Sequence, residues 1–95
     1  MSVSVVTTFI KSDASTEDYV NPEVQKVLEQ YVASNKITER INWTSEDGLT
    51  QKRTRVFANQ AAYDEFISED AIVQNRARRR QWFQDNNVRM TREIT

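Results

Sequence analysis

The chain contains no cysteine and no histidine. Without Cys there is no disulfide framework, no thiolate nucleophile and no Cys-based zinc or iron–sulfur site. Without His the commonest general base and the commonest transition-metal ligand are missing. A Ser-His-Asp relay and a haem with a proximal His are excluded for the same reason. No run approaches the ~18 apolar residues that mark a membrane span. The first ten residues, Met1 to Ile10, alternate apolar residues with Ser and Thr, and lack the basic region and continuous apolar stretch of a signal peptide. The expectation is a cytoplasmic protein with no membrane partner. Asn42-Trp43-Thr44 matches a glycosylation sequon, and without a secretion signal it is read as a chance match.

What is present fits one small domain. Ninety-five residues bury somewhat over ~60% of the surface the unfolded chain exposes, enough for one modest core. The net charge of −1 hides an asymmetry. Residues 1–48 carry four basic and eight acidic side chains, a net of −4, whereas residues 49–95 carry nine basic and six acidic ones, a net of +3. A basic surface on a mildly acidic protein is therefore available. The single Gly and single Pro, Gly48 and Pro22, both fall at element boundaries.

The residue pattern predicts six elements. Val3, Val5, Thr7 and Phe9 alternate with Ser4, Val6, Thr8 and Ile10, a strand with partly apolar faces on both sides, as a central strand has. Residues 11–20 read as a polar loop. Asn21 is a good N-cap and Pro22 suits the first helical position. Val24, Val27, Leu28, Tyr31 and Val32 then form one helical stripe, with Asn35 as a left-handed stop. A hairpin follows around Asp47-Gly48. With those two residues at its centre, Trp43 faces Lys52, Ile41 faces Thr54, Glu39 faces Val56 and Ile37 faces Ala58. That side is expected to meet the helices. The other side carries Thr38, Arg40, Asn42 and Thr44 against Phe57, Arg55, Arg53 and Gln51, and is expected to be open; a three-residue loop would exchange the two. Asn59 caps a long second helix, about 60–86, with Ala62, Phe66, Val73 and Ala77 in one stripe and a kink or break at Ser68-Glu69-Asp70, where the acidic pair would cap a fresh start. Val88, Met90 and Ile94 alternate with Arg89, Thr91 and Glu93 in a final strand.

Strand, helix, hairpin, helix, strand is the α+β ferredoxin-like order β-α-β-β-α-β, with a four-stranded antiparallel sheet and its helices on one face. Together with this order, Arg55-Val56-Phe57-Ala58 followed by Gln60-Ala61-Ala62-Tyr63-Asp64-Glu65-Phe66 resembles the strand-into-helix passage of small dimeric α/β-barrel proteins. These include antibiotic-biosynthesis-type monooxygenases and stress-responsive proteins. The resemblance covers nearly the whole chain and implies two sheets paired face to face in a homodimer. Some members place Asn, Trp and His around a substrate or haem. Here Asn42 and Trp43 lie on the second strand and His is absent, so the activity is not carried over. The RNA-recognition module shares the order, but its signature strand needs Gly and several aromatics. Residues 51–57 hold only Phe57. ACT-type domains need a Gly-containing loop after the first strand, which is also missing.

Two arginine groups are the candidate binding residues. Arg40, Arg53 and Arg55 share one sheet face, where planar guanidinium forks suit phosphates and carboxylates; the alternatives are a solvated face or a polar dimer interface. Arg76, Arg79 and Arg80 belong to the run Arg76-Ala77-Arg78-Arg79-Arg80. Arg76 and Arg80 fall near Ile72, Val73 and Phe83, and Arg78 points away. They either track a phosphate backbone, snorkel along the core edge or pair with acids such as Glu29. Trp43 and Trp82 are read as core or interface residues.

The reading is a non-enzymatic, dimer-forming interaction domain that binds itself or another protein through its open sheet. It has no catalytic residues, metal or cofactor, and its plain, Gly-poor composition suits a viral or accessory protein. Anion or nucleic-acid binding through the arginines is the first alternative, set behind the dimer or protein-partner reading. A cofactor-free monooxygenase-like enzyme is the second; it requires a cavity bearing a polar group between sheet and helices.

Overall fold

The computed structural model describes all of residues 1–95. Strand β1 (Val3–Lys11) leads through a loop to helix α1 (Pro22–Ala33), then the hairpin β2 (Ile37–Thr44) and β3 (Thr50–Phe57). Helices α2 (Gln60–Ser68) and α3 (Asp70–Asp85) precede the last strand, β4 (Val88–Ile94). The antiparallel sheet has the order β2-β3-β1-β4, with β1 central as its two-sided apolar pattern predicts. All helices pack on one face, giving the ferredoxin-like architecture. No helix is long and apolar enough to cross a membrane.

Local chemistry sets the helix ends. The Asn21 side chain accepts a hydrogen bond from the Glu23 amide at 3.0 Å, and Pro22 opens α1. At the far end Asn35 adopts φ 60°, the Lys36 amide donates to the Tyr31 carbonyl and the Asn35 amide to that of Val32. These paired bonds satisfy carbonyls that the helix leaves free. The Asn59 side chain caps α2 through the Ala62 amide at 2.8 Å. The expected break lies at Glu69, whose ψ of 133° is extended. Capping by the acidic pair does not occur. No side chain caps α3, and the Glu69 carboxylate instead accepts the Tyr31 hydroxyl at 2.9 Å.

The hairpin has the predicted register from Trp43↔Lys52 to Glu39↔Val56. Beyond that a bulge at Thr38 brings Ile37 opposite Phe57 rather than Ala58. An extra residue in one strand reverses the side to which the following residues point. Ile37 thereby joins the core, while Ile41 and Trp43 remain on the other side.

The two faces of the hairpin are the reverse of the expectation. Strand β3 pairs with β1 so that Val3 stands opposite Phe57 and Val5 opposite Arg55. Val3, Val5 and Phe57 are buried with Val24, Leu28, Tyr31, Ile37, Ala62, Tyr63, Phe66 and Ile72. A second cluster joins Phe9, Phe83 and Val88. Once Val3, Val5, Phe9 and Phe57 turn toward the helices, strand alternation takes Arg53, Arg55, Arg40 and Asn42 with them. Ile41 and Trp43 are left outside, 49% and 50% exposed.

The α2–α3 break also shifts the helical phase. Ala62, Tyr63 and Phe66 are buried before it, and Ile72, Asn75 and Phe83 after it. Val73 and Ala77, expected in a stripe continuous with Ala62 and Phe66, are exposed.

Candidate functional site

Strand alternation and helical spacing bring arginines from four elements into one cleft between sheet and helices. Across the sheet, Asn42 pairs with Arg53, Arg53 with Thr7, and Thr7 with Arg92. In the adjacent row Arg40 pairs with Arg55, and Arg55 with Val5. Arg76 and Arg79 descend from α3 on the stripe that also holds Ile72, Asn75 and Phe83, positions that share a helix face.

Aromatic rings support the guanidinium groups. Arg53 lies 5.0 Å from the ring centre of Phe9, Arg55 6.0 Å from Phe66 and Arg79 5.8 Å from Phe83. Cation–π attraction and packing of the side-chain stems hold these arginines half-buried. Phe83 is itself wedged against Phe9 and Trp82, with Tyr19 tilted against Trp82 and edge-on to Phe83.

Two chambers flank this group. One, of about 410 Å³, opens beside α1 and is lined by Arg40, Asn42, Arg53 and Arg55 with Tyr19 and Leu28. The other, of about 340 Å³, opens between α3 and β4 and is lined by Arg76, Arg79, Arg80 and Arg92 with Phe83 and Met90. A small cavity touching Arg55, Arg76, Arg79 and Arg92 lies between them.

The arginines of the cleft form no ion pairs. The chain forms three ion pairs, all through lysine: Lys11–Asp18 at 2.7 Å, Lys26–Glu23 at 3.5 Å and Lys36–Glu65 at 2.8 Å. No arginine nitrogen lies within 4.0 Å of a carboxylate oxygen. The acid beside Arg53 is Asp18, already held by Lys11, whose hydrogen bond keeps its carboxyl below the usual range. Burial, reinforced by Arg53, Arg79, Arg40 and Arg92, lowers Arg55 to about 10. Burial and the charges of Arg92, Arg76 and Arg53 lower Arg79 to about 10. Arg92 is lowered in the same direction, by burial and by Arg76. Guanidinium keeps its proton in proteins, so these arginines remain charged at neutral pH despite the unfavourable surroundings.

Of the six arginines singled out in the sequence, Arg40, Arg53, Arg55, Arg76 and Arg79 line the cleft, and Arg80 stands exposed at the rim of the smaller chamber. The first three are not on the open sheet face, where alternation read within the hairpin alone put them. The expected pairing with Glu29 does not form. Arg92 was missed. Its signal was the parity of the last strand, since Val88, Met90 and Ile94 leave Arg92 as the fourth residue of their set.

The rest of the molecule holds no competing centre. No group of three or more Asp or Glu side chains is placed to hold a metal ion. Tyr31 is pushed above the ordinary tyrosine range by burial and by its bond to Glu69, so it is a structural hydroxyl.

The sequence matches no protein-family model, and no curated protein matches it either. Solved structures do resemble it. A candidate antibiotic biosynthesis monooxygenase from Deinococcus radiodurans superposes with a TM-score of 0.57 over 98% of this chain and 89% of its own, at 11% identity. Rv0793 of Mycobacterium tuberculosis gives 0.50 over 98% and 93%, at 14% identity. SO0527 of Shewanella oneidensis gives 0.51 over 97% and 91%, at 13% identity. At these identities the likeness establishes a shared fold across essentially the full length of the chain.

Proposed function

We propose that this chain is a binding domain for an anionic ligand, which enters the arginine-lined cleft between the sheet and the helices. The observation that carries the reading is the convergence of Arg40, Arg53, Arg55, Arg76, Arg79 and Arg92 on one cleft with no carboxylate to pair them. Burying charge is costly unless it is paired. A ligand that binds only the folded state raises its stability by mass action. The test is thermal melting at fixed ionic strength with chloride replaced by phosphate or sulfate. Melting temperature rises with the oxyanion if the reading is right. A melting temperature that ignores the anion at millimolar concentration removes it.

The open sheet face supports a second role, pairing with another copy of the chain. Ile41 and Trp43 are half exposed there, beside Val6, Ile10 and Val56, which are only partly covered. An apolar patch of this kind marks an interaction surface. The dimer reading therefore rests on the apolar residues, and the arginines are free for the cleft.

An enzymatic alternative places cofactor-free oxygen chemistry in the same cleft, following the activity in the name of the Deinococcus protein. Asn42 beside Arg40 and Arg53 is the polar group such a cavity requires. The cleft's charge would then select an acidic substrate.

A further inference from the structure

We infer that the ligand of this cleft is a small polyphosphate-type anion, carrying at least two linked phosphate groups that reach both chambers across the wall made by Arg53, Arg55 and Arg79. The inference rests on the anion-binding reading above and adds the ligand's valence, chemistry and placement.

Charge comes first. Seven arginines line the two chambers, Arg80 at the rim among them, and neither chamber is lined by an acidic residue; Glu17 and Asp18 border only the small pocket beside Arg53 and Arg79. One phosphate group supplies only about −1.5 to −2 at neutral pH. A single orthophosphate would leave most of the cluster unpaired, whereas a linked chain of phosphates approaches balance.

Spacing points the same way. Arg53 on β3 and Arg92 on β4 are separated by β1 and share one row across the sheet. Their backbones are thus two strand spacings apart, about 10 Å. Arg76 and Arg79 sit one helical turn apart above that row. The backbones that carry these donors are thus set wider apart than the oxygens of one phosphate, on both sides of the cleft. Each chamber alone falls within the volume range of ordinary small-ligand sites, ~300–1,000 Å³. Arg55 and Arg79 border the small cavity between them. A ligand with anionic groups on both sides would use every arginine of the wall.

Recession of the arginines favours a small molecule over a nucleic acid. Arg53, Arg55 and Arg79 are half-buried between sheet and helix; Arg40 and Arg80 are exposed at the edges of the two chambers, and Arg78 and Arg89 are exposed outside the cleft. A duplex backbone meets projecting side chains, and the wall arginines Arg53, Arg55 and Arg79 do not project.

Calorimetric titration of the full chain with orthophosphate, pyrophosphate, tripolyphosphate, citrate and a short oligothymidylate tests this, at one ionic strength so that screening is constant. Tripolyphosphate should bind at least ~100-fold more tightly than orthophosphate, since each further charge-assisted contact is worth about tenfold or more. Arg55→Met and Arg79→Met should each weaken tripolyphosphate by ~10-fold or more, and Arg78→Met, outside the cleft, should leave it unchanged. Circular dichroism melts of the variants separate lost contacts from lost fold. Equal affinity for orthophosphate and tripolyphosphate overturns the inference but leaves the anion-binding reading standing. Citrate equal to tripolyphosphate overturns the phosphate assignment. Tighter oligothymidylate binding overturns the small-molecule assignment. Binding of none of the five overturns both readings.

Discussion

Arginine 79 shows what a residue inherits from its neighbours. Its guanidinium lies over Phe83, feels the charges of Arg76, Arg92 and Arg53, and forms no ion pair with an acid. Removing that charge while keeping the stem should stabilise the unliganded protein. Arg79→Met is expected to gain ~1 kcal/mol or more, which for a domain of this size raises the melting temperature by ~4–8 °C in phosphate-free buffer. The same variant should lose most of the further rise that phosphate produces in the parent, and melting curves with and without phosphate check both halves. Asp18 behaves oppositely, because its partner is present. Its carboxyl titrates below the ordinary aspartate range in the folded protein, chiefly through the hydrogen bond from Lys11. Its contribution is thus complete above about pH 4 and is lost as pH falls through the lowered value. Asp18→Asn should flatten that part of the stability–pH profile, measured by denaturant melts between neutral pH and pH 3.

Helix ends and the α2–α3 break decide how the chain is cut into elements. The Asn59 side chain satisfies the Ala62 amide at the start of α2. Asn59→Ala should lower stability by ~1 kcal/mol, the usual worth of such a cap, seen as a lower denaturant midpoint with unchanged slope. The break at Glu69 is tied to α1 through Tyr31, whose ring also packs edge-on against Phe66. Tyr31→Phe keeps the ring contact and removes the tether. It should cost ~1 kcal/mol and increase amide exchange around Glu69 more than in α1. Both changes lie away from the arginine cleft, so anion binding should persist in them. Gly48 marks the hairpin turn at φ +74°, where a side chain would be strained, although the nearest atom to an added Cβ is 3.5 Å away.

For the whole molecule, the decisive feature is which face of the sheet the helices cover. Phe57, 1% exposed, sits where the hairpin, β1 and α2 meet and packs on Tyr63 and Phe66. Its truncation to alanine should cost ~3–5 kcal/mol, much of the stability of a domain this small. With that face committed, the outer face is available to a second copy. If it pairs through Ile41 and Trp43, light scattering after size exclusion should report a dimer at both low and high salt, because apolar contacts are not screened. Trp43→Lys should then convert it to a monomer. A parent chain that is monomeric at tens of micromolar would end that reading.

Element order, the caps of α1 and α2, the hairpin register as far as Glu39 and the break in the second helical segment were legible in the residues, because each depends on neighbours a few positions away. Asn21-Pro22, Asn35, Asp47-Gly48 and Asn59 act through local hydrogen bonds and local backbone preference. The exclusion of thiol and imidazole chemistry was legible too, since it needs only composition. The assignment of faces was not. Read within the hairpin, Ile41 and Trp43 outweigh Arg53 and Arg55, and nothing local reveals the bulge at Thr38 or the pairing of Val3 with Phe57. The sheet buries the face on which all four strands together place the most apolar surface, a sum over residues far apart in the chain. That sum carried the arginines of the hairpin inward. There the tertiary structure added Arg92, Arg76 and Arg79, turning scattered charges into one cleft.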